Sequence, residues 1–506
     1  MRDDARAPRW LFWCAVVLHV LLWTLLPSLL RYVTPTDATE GAVWGRHLAL
    51  GYPRNPWLGA WLTRLALTLS GNRDASIYLL SQLCVLVTFW SVWRLGRELF
   101  SAWHALVGVL MLEGAQYYSI AIIDFADNTL LLALWSLSAL LLYLAVKTQC
   151  LRCWLLLGLT CGLGMMAKYQ TALVFPPMLF FLLADSQARA SLRRPGLYWG
   201  VAVLALICVP HAVWLFSHDF ITVRYAFTRL EQPAEPWWVE HLQYPGRFAL
   251  NQLLTFAGPA VLYSFLCWGK KGRTLGEPAE LAGFERRFLW IIGVGPFLLT
   301  VLLSLALGWY LRTMWGIPFL SLWGLLLAGV LPQKITTVTV RRFSIAVLIV
   351  FVGLAAGYVL ALEERGVRRS ANYPLREVAD EVTREWHARY GTPLECVAGE
   401  RLIVSYVARY SPDHPAALID FDSEKSPWLD PDDLHRAGAV FVQFVNYRRG
   451  KPEFPPAVRE RFPGLQVEPP RAYAWHRSLP GQDPLEILVG YLPPAFVHAR
   501  PKRRGR

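Results

Sequence analysis

Residues 10–30 read WLFWCAVVLHVLLWTLLPSLL, and residues 31–62 continue RYVTPTDATEGAVWGRHLALGYPRNPWLGAWL. The first stretch holds no acid, lysine or arginine, and it has the roughly 20 apolar residues that cross a bilayer. The second breaks the pattern: Asp37, Glu40, Arg46, His47 and Arg54 stand among Trp44, Trp57 and Trp61. Another apolar run starts near residue 75. The chain therefore crosses a membrane, surfaces over a long polar and aromatic loop, and dives again.

The rest of the sequence repeats this behaviour. Of 506 residues, 55% are hydrophobic and only 17% are charged, against about 25% charged in a soluble domain. Apolar blocks recur at roughly 9–30, 75–97, 102–123, 128–146, 152–166, 170–185, 196–217, 248–268, 287–309, 313–331 and 343–362. The fold class is a polytopic α-helical membrane protein with about 11 transmembrane helices. The first block is too long for a removable signal peptide and lacks its small-residue cleavage site. The pair 152–166 and 170–185 is short, as tilted or re-entrant segments are.

Lys and Arg in short loops set the orientation. With the N-terminus inside, the inner loops hold Arg2, Arg6 and Arg9, then Arg94 and Arg97, then Lys147 and Arg152, then Arg189, Arg193 and Arg194, then residues 270–287, then Lys334, Arg341 and Arg342. The short outer turns hold only Lys168 and Arg312. This places the N-terminus in the cytoplasm and the segment after residue 362 outside. The net charge of +13 then needs no nucleic acid, because a basic cytoplasmic rim suits anionic lipid headgroups. The end, HARPKRRGR, reads as a solvated basic tail, 496–506.

Three domains follow: 1–362 as a transmembrane module with outward loops at 31–74, 122–128 and 218–247, 363–495 as a small α/β domain, and the tail. In the second, LREVADEVTREWHARY (375–390) has helical periodicity. ECVAG (395–399), PAALID (415–420), AVFVQFV (439–445) and ILVGYL (487–492) read as strands. Asp430 and Gly438 read as the cap and stop of a short helix. Of eight cysteines, only Cys396 lies here, so this domain has no internal disulfide. Cys150-x-x-Cys153 stands without a second pair and is read as small membrane-helix residues. In the first loop, GAVWGRHLALG and PWLGAWLTRLALTL are amphipathic stretches suited to a membrane surface.

The outward loops carry the chemistry. Asp37 and Glu40 are three apart and share a side of a helix. A carboxylate there orients or deprotonates a hydroxyl acceptor, and the alternative is a helix cap at Asp37 or Thr39. Arg54, stiffened by Pro53 and Pro56, suits phosphate. Lys168 lies between two apolar half-spans and Arg312 at a span start; a charge at such depth marks a functional site or a snorkelling side chain. Asp124 and Asn128 stand at the top of a span. Trp44, Tyr52, Tyr169 and His218 join Asn128 as candidate sugar or acceptor contacts. His211 reads as packed. Nothing in the sequence requires a metal or other cofactor.

Acids, cations and aromatics on one face of a membrane bundle describe glycosyl transfer from a polyprenyl-phosphate sugar. The sequence resembles the polytopic GT-C glycosyltransferases of the protein O-mannosyltransferase and lipid A aminoarabinose transferase superfamily, in the bacterial family 39 branch. The resemblance rests on DATEGAVWGRHLALGYPRNPWLGAW, DFADNTLLLALW, WLLLGLTCGLGMMAKYQTALV, VPHAVWLFSHDFITVRYA and RTMWGIPFL, in order, with VAGERLIVSYVARYSPDHPAALIDFDSEKSPWLD near the end. It implies the GT-C fold, a periplasmic C-terminal domain, an undecaprenyl-phosphate-linked donor and a reaction on the outer face of the bacterial inner membrane. It implies an envelope acceptor, led by lipid A phosphate, with protein or polysaccharide hydroxyls as alternatives. Glu40 matches the second acid of the family's pair, while Thr39 stands at the first and Asp37 is displaced by two, so either acid remains open as the catalytic one. Arg54 replaces the usual Lys, and Asp124 matches the second-loop acid. A lipid-sugar flippase is the rival reading, and no inverted repeat favours it.

Overall fold

The computed structural model describes residues 6–267, 272–277, 281–447 and 450–495. The basic tail lies outside the described residues. The chain divides into two compact units, one of residues 1–28, 54–59 and 73–359, the other of 29–53, 60–72 and 360–506. Most of the first outward loop thus belongs with the C-terminal residues, a grouping that the spacing of apolar runs does not announce.

In the first unit the apolar runs are helices. Among the described residues, eight are long and apolar enough to cross a membrane: Arg6–Leu30, Ala75–Leu99, Asp127–Thr148, Pro195–Ser217, Val239–Cys267, Gly283–Leu307, Thr313–Val330 and Thr337–Glu363. Two bent pairs raise the number to ten, and the 17-residue helix Leu151–Ala167 stands where an eleventh was expected. The expected span at 102–123 is not one straight helix. It turns by 92° between Ala102–Gly114 and Gln116–Ile122. No proline explains the bend. Glu113, 4% exposed, is held by His19 Nδ1 at 2.9 Å, and a Cβ on Gly114 would lie 2.7 Å from the backbone at Gly258 and Pro259. A carboxyl buried among apolar helices requires such a partner, and the two together fix the chain where the helix breaks. The segment at 170–185 bends by 99° between Tyr169–Ala184 and Ser186–Arg193. Asp185 caps the second helix and accepts two hydrogen bonds from Arg287.

In the second unit, helix Leu375–Tyr390 covers the expected range and buries Leu375, Val378, Ala379, Val382, Thr383 and Trp386 on one stripe. It stops at Gly391, whose φ of 68° suits glycine. The six-stranded sheet runs Ala416–Ile419, Cys396–Gly399, Ala439–Phe444, Leu485–Leu492 and Gln466–Val467, with Arg471–Tyr473 also on Leu485–Leu492. The first three are parallel, and Leu485–Leu492 is antiparallel to Ala439–Phe444. All six residues of Ala439–Phe444 are buried, as a central strand with both faces covered requires. Asp430 caps helix Pro431–Ala437, and Gly438 ends it. All eight cysteines are free. Helix Arg401–Tyr410, rich in β-branched and aromatic residues, was not expected from the sequence; it follows the Cys396–Gly399 strand directly.

The first loop departs from a membrane-surface helix. Helix Thr36–Trp44 buries every residue from Ala38 to Trp44. The chain then leaves the helix at Gly45–His47, and Leu48 takes a left-handed φ of 43°. GAVWGRHLALG is therefore buried from Gly41 to Gly45, while Leu48 and Leu50 stay exposed. Neither Asp37 nor Thr39 caps it: Pro35 is the N-cap and both residues lie inside the helix.

Candidate functional site

The predicted residues fall into two groups, one in each unit. Arg54, Lys168, Arg312, Asp124, Asn128, Tyr169 and His218 belong to the first, and Asp37, Glu40, Trp44 and Tyr52 to the second.

In the membrane unit, contacts link the three cations through the segment 310–315. Lys168 ends helix Leu151–Ala167 in extended backbone. Its Nζ donates to Asn128 Oδ1 at 2.7 Å and stands 5.5 Å from the Trp315 ring. Asn128 is buried in the first turn of helix Asp127–Thr148. Gln170 Nε2 donates to Trp315 O at 2.7 Å, and Trp315 N to Arg312 O at 2.9 Å. Arg312 is half-buried, and its buried Nε has no hydrogen-bond partner among the described residues. A buried donor left so is costly unless a ligand meets it. Two residues earlier, Tyr310 N donates to Leu230 O at 3.0 Å, just beyond helix Ile221–Thr228. That helix carries Tyr225, whose hydroxyl accepts from Arg54 Nε at 2.7 Å under a guanidinium 5.1 Å from the ring. Asp124 is half-buried four residues before Asn128, and its carbonyl accepts from Thr129 Oγ1 at 3.3 Å. A Cβ on Gly59 would meet Asp127 Oδ1 at 3.1 Å, so Asp127 is an acid packed beside the Arg54 loop.

Tyr169 and His218 belong to an aromatic ladder. The Tyr169 hydroxyl and His211 Nε2 are 2.6 Å apart. His211 stacks on Trp214 at 5.8 Å, and Trp214 on His218 at 4.1 Å. His218 closes helix Pro195–Ser217. His211 is buried and packed, as its sequence context suggested.

In the second unit, helix Arg401–Tyr410 grips the first loop. Tyr406 donates to Thr34 O at 2.7 Å, and Thr34 N to the Tyr410 hydroxyl at 2.8 Å. Thr39 bonds back to Pro35 O and to Thr34 Oγ1, both at 2.8 Å. Glu40, 2% exposed, pairs with Arg401 Nη1 at 2.5 Å. Asp37, in the first turn of its helix, is partly exposed and meets no cation among the described residues. The two acids, alike in sequence, differ in state: one is locked and neutralised, the other open. Arg401 is the residue the sequence reading missed. Its position after Gly399-Glu400 at the end of a parallel strand is the signal that would have found it, because such ends gather functional side chains.

Trp44 and Tyr52 are buried and stack at 5.5 Å. Tyr52 meets Trp428 edge-on at 6.3 Å, and Trp428 stacks on His47 at 5.1 Å. Burial, then the Arg46 charge, pushes His47 down to about 4. Trp44 and Tyr52 are thus the floor of an aromatic stack in which His47 and Trp428 are more exposed. Among the described residues, no three His, Cys, Asp or Glu side chains gather as metal ligands.

Residues 54–214 match the family model for dolichyl-phosphate-mannose-protein mannosyltransferase. The chain is 23% identical to the lipopolysaccharide core galacturonosyltransferase RgtB of Rhizobium johnstonii, over 84% of this chain and 85% of that one. It is 27% identical to an undecaprenyl phosphate-α-4-amino-4-deoxy-L-arabinose arabinosyl transferase of Pectobacterium atrosepticum, over 46% of this chain and 43% of that one. Among solved structures it shares the fold of ArnT from Cupriavidus metallidurans bound to undecaprenyl phosphate, with a TM-score of 0.61, 14% identity, and coverage of 95% of this chain and 97% of that one.

Proposed function

We propose that this chain, a polytopic membrane glycosyltransferase of the GT-C superfamily, moves a sugar from an undecaprenyl-phosphate-linked donor to a phosphate of lipid A or the lipopolysaccharide core. The reaction takes place on the periplasmic face of a bacterial inner membrane, with the N-terminus in the cytoplasm. The observation that carries this reading is Arg312, a guanidinium in the membrane unit with a buried donor that lacks a partner among the described residues, tied through Trp315 to Lys168. A phosphate diester at the head of a prenyl chain supplies the acceptor oxygens such a group needs, and arginine matches their geometry. The relatives that modify lipopolysaccharide support the choice of acceptor.

Arg312, Lys168 and Arg54 hold the donor phosphate. Asn128 orients Lys168, and Tyr225 orients Arg54. Asp37, rather than Glu40, is assigned to the acceptor, because Glu40 is already paired with Arg401. An acceptor oxygen attacks the anomeric carbon, the bond from that carbon to the donor phosphate oxygen breaks, and polyprenyl phosphate leaves with the electron pair. The three cations stabilise the negative charge that collects on the leaving phosphate. A phosphate acceptor is already anionic and needs little general base, so Asp37 there steers rather than deprotonates. Tyr169 and His218 at the ladder, and Asp124, contact sugar or acceptor in this reading.

The test compares lipid A and core oligosaccharide by mass spectrometry from cells with the wild-type gene, without it, and with Arg312→Gln. A sugar-sized mass lost in the deletion strain and diminished with Arg312→Gln is expected. An unchanged envelope in the deletion strain would overturn the acceptor, and full transfer by Arg312→Gln would overturn the role of that arginine.

A further inference from the structure

Arg312 leads, in extended backbone, into the ten-residue 3₁₀ helix Thr313–Leu322. Runs of this helix beyond about three or four residues are uncommon, because their hydrogen bonds are poorly aligned. This one is held at its start by side chains from other segments of the membrane unit. Gln252, in helix Tyr244–Cys267, donates from Nε2 to Thr313 O at 3.1 Å. Its neighbour Asn251 donates from Nδ2 to Thr313 Oγ1 at 3.0 Å. Tyr117, in the turn Gln116–Tyr118, shares its hydroxyl proton between Thr313 O at 3.0 Å and Gln252 Oε1 at 2.9 Å. Gln170 donates to Trp315 O at 2.7 Å.

Two features set the bonds at Thr313 O apart from ordinary packing. The first is burial. Gln252 is fully buried and Tyr117 is 2% exposed, and a carboxamide placed so deep costs stability unless its atoms are bonded. Here both atoms are. Thr313 O can only accept, so it takes the amide nitrogen, and the amide oxygen receives Tyr117. A flipped amide would set oxygen against oxygen. The second is the glycine beside it. A Cβ on Gly316 would lie 1.8 Å from Gln252 Oε1 and 2.5 Å from its Nε2, so the amide lies against bare backbone. On the other side of Arg312, Tyr310 N is held by Leu230 O. The chain around Arg312 is thus anchored on both sides, while its buried Nε has no partner among the described residues. The guanidinium takes its aim from the backbone that carries it.

We infer that Gln252 and Tyr117 are positioning residues for the donor phosphate, fixing the backbone from which Arg312 reaches it. The inference rests on the phosphate-binding role given to Arg312 above, and it names what aims that group. A misplacement of about 1 Å can cost about 100-fold in rate, and a binding group must be held to within about 0.5 Å. Neither Gln252 nor Tyr117 touches the phosphate; each acts through Arg312.

The experiment measures binding of undecaprenyl phosphate to the full-length protein in neutral-lipid nanodiscs, with thermal melts on the same samples. Tyr117→Phe removes a single oxygen and is the leading variant. Gln252→Met, of similar volume, and Gly316→Ala, whose methyl takes the place of the amide, reach the same bonds by other routes. Thr300→Val is the control for stability lost elsewhere, because it deletes the buried bond from Thr300 Oγ1 to Pro296 O at 2.7 Å within helix Gly283–Leu307. Tyr117→Phe is expected to weaken binding about fivefold, Gln252→Met and Gly316→Ala by that factor or more, and Arg312→Gln about tenfold, with Thr300→Val unchanged. Adding Tyr117→Phe to Arg312→Gln is expected to cost nothing further, because the tyrosine acts only through the arginine. Wild-type binding by Tyr117→Phe and Gln252→Met, beside a weakened Arg312→Gln, overturns the positioning role and leaves the role of Arg312 standing. A loss that persists in the Arg312→Gln background, or that Thr300→Val reproduces, overturns it equally. Wild-type binding by Arg312→Gln overturns the phosphate site itself, and the positioning role falls with it.

Discussion

Charge is held in two ways in the unit built from the first loop and the C-terminal domain. At Arg471 it is balanced within the protein. Arg471 donates to Glu381 at 2.7 Å, to both oxygens of Glu385 at 2.8 and 2.7 Å, and to Glu468. Arg389 pairs with Glu385 and Glu468 and lies 3.9 Å over the Tyr491 ring, whose hydroxyl donates to Glu385 at 2.8 Å. Burial works against the Glu385 carboxylate, yet Arg471 and Tyr491 hold it below its usual range. The first arrangement has all its partners and fastens helix Leu375–Tyr390 to the sheet. Arg46, by contrast, donates to Ala408 O at 2.9 Å and has no carboxylate partner among the described residues. Asp37 likewise meets no cation among the described residues, and the Arg312 Nε has no hydrogen-bond partner there. Locked pairs contribute stability, and open groups are the candidates for chemistry or binding.

The sharpest way to break this contrast lies within the first loop. Asp37→Asn is expected to lower sugar transfer by about 100-fold, the range for misplacing a bound reactant, with the melting temperature unchanged. Glu40→Gln is expected to do the reverse. It leaves Arg401 without its partner and costs about 2 kcal/mol, less than a fully buried pair because Arg401 is partly exposed, while transfer by the folded fraction persists. Rates at saturating donor and thermal melts on the same preparations decide it. If Glu40→Gln abolishes transfer without lowering stability, the assignment of the two acids is reversed.

Arg471→Met tests the balanced side. It removes the hub from three carboxylates and is expected to destabilise the protein by about 2 kcal/mol, leaving the KM for donor and acceptor unchanged. Arg312→Gln tests the open side in the membrane unit. It is expected to raise the donor KM about tenfold, one charged hydrogen bond's worth, with little effect on melting. If Arg312→Gln instead destabilises the protein as Arg471→Met does, Arg312 is structural.

The contrast also shows what a sequence discloses. The apolar runs revealed the helices because hydrophobic length is a local property, and 375–390 revealed its helix because its buried stripe repeats locally. Asp430 and Gly438 were legible for the same reason. The break at Glu113 was not, because it is set by His19, ninety-four residues away. Neither was the locking of Glu40 by Arg401, 361 residues on. Sequence treated Asp37 and Glu40 as near equals, and long-range pairing alone separates them. GAVWGRHLALG has amphipathic spacing, but residues 41–45 are buried in a unit that includes helix Arg401–Tyr410, which local spacing could not show. Lys168 and Arg312 stood out in the sequence as charges beside apolar runs, and Arg54 as a cation in a loop stiffened by Pro53 and Pro56. The segment 310–315 that links them was not.

The smallest expected effect is a titration. His47 stacks on Trp428, and its folded pKa of about 4 lies below the ordinary 6.5. A group lowered in this way contributes stability fully above the ordinary value. That contribution is lost as pH falls toward 4, because the unfolded chain binds a proton that the folded one refuses. His414 and His476 are lowered too, so the wild-type curve sums several groups and the carboxylates join it at low pH. Only a difference isolates His47. His47→Phe keeps an aromatic ring against Trp428 and has no proton to gain. Its stability relative to wild type should rise by about 1 kcal/mol between pH 6.5 and 4, an amount discounted for partial exposure. Parallel denaturation curves across that window would mean that the imidazole is protonated in place, and that the stack at the mouth of the Trp44 and Tyr52 pair is open enough for solvent to reach it.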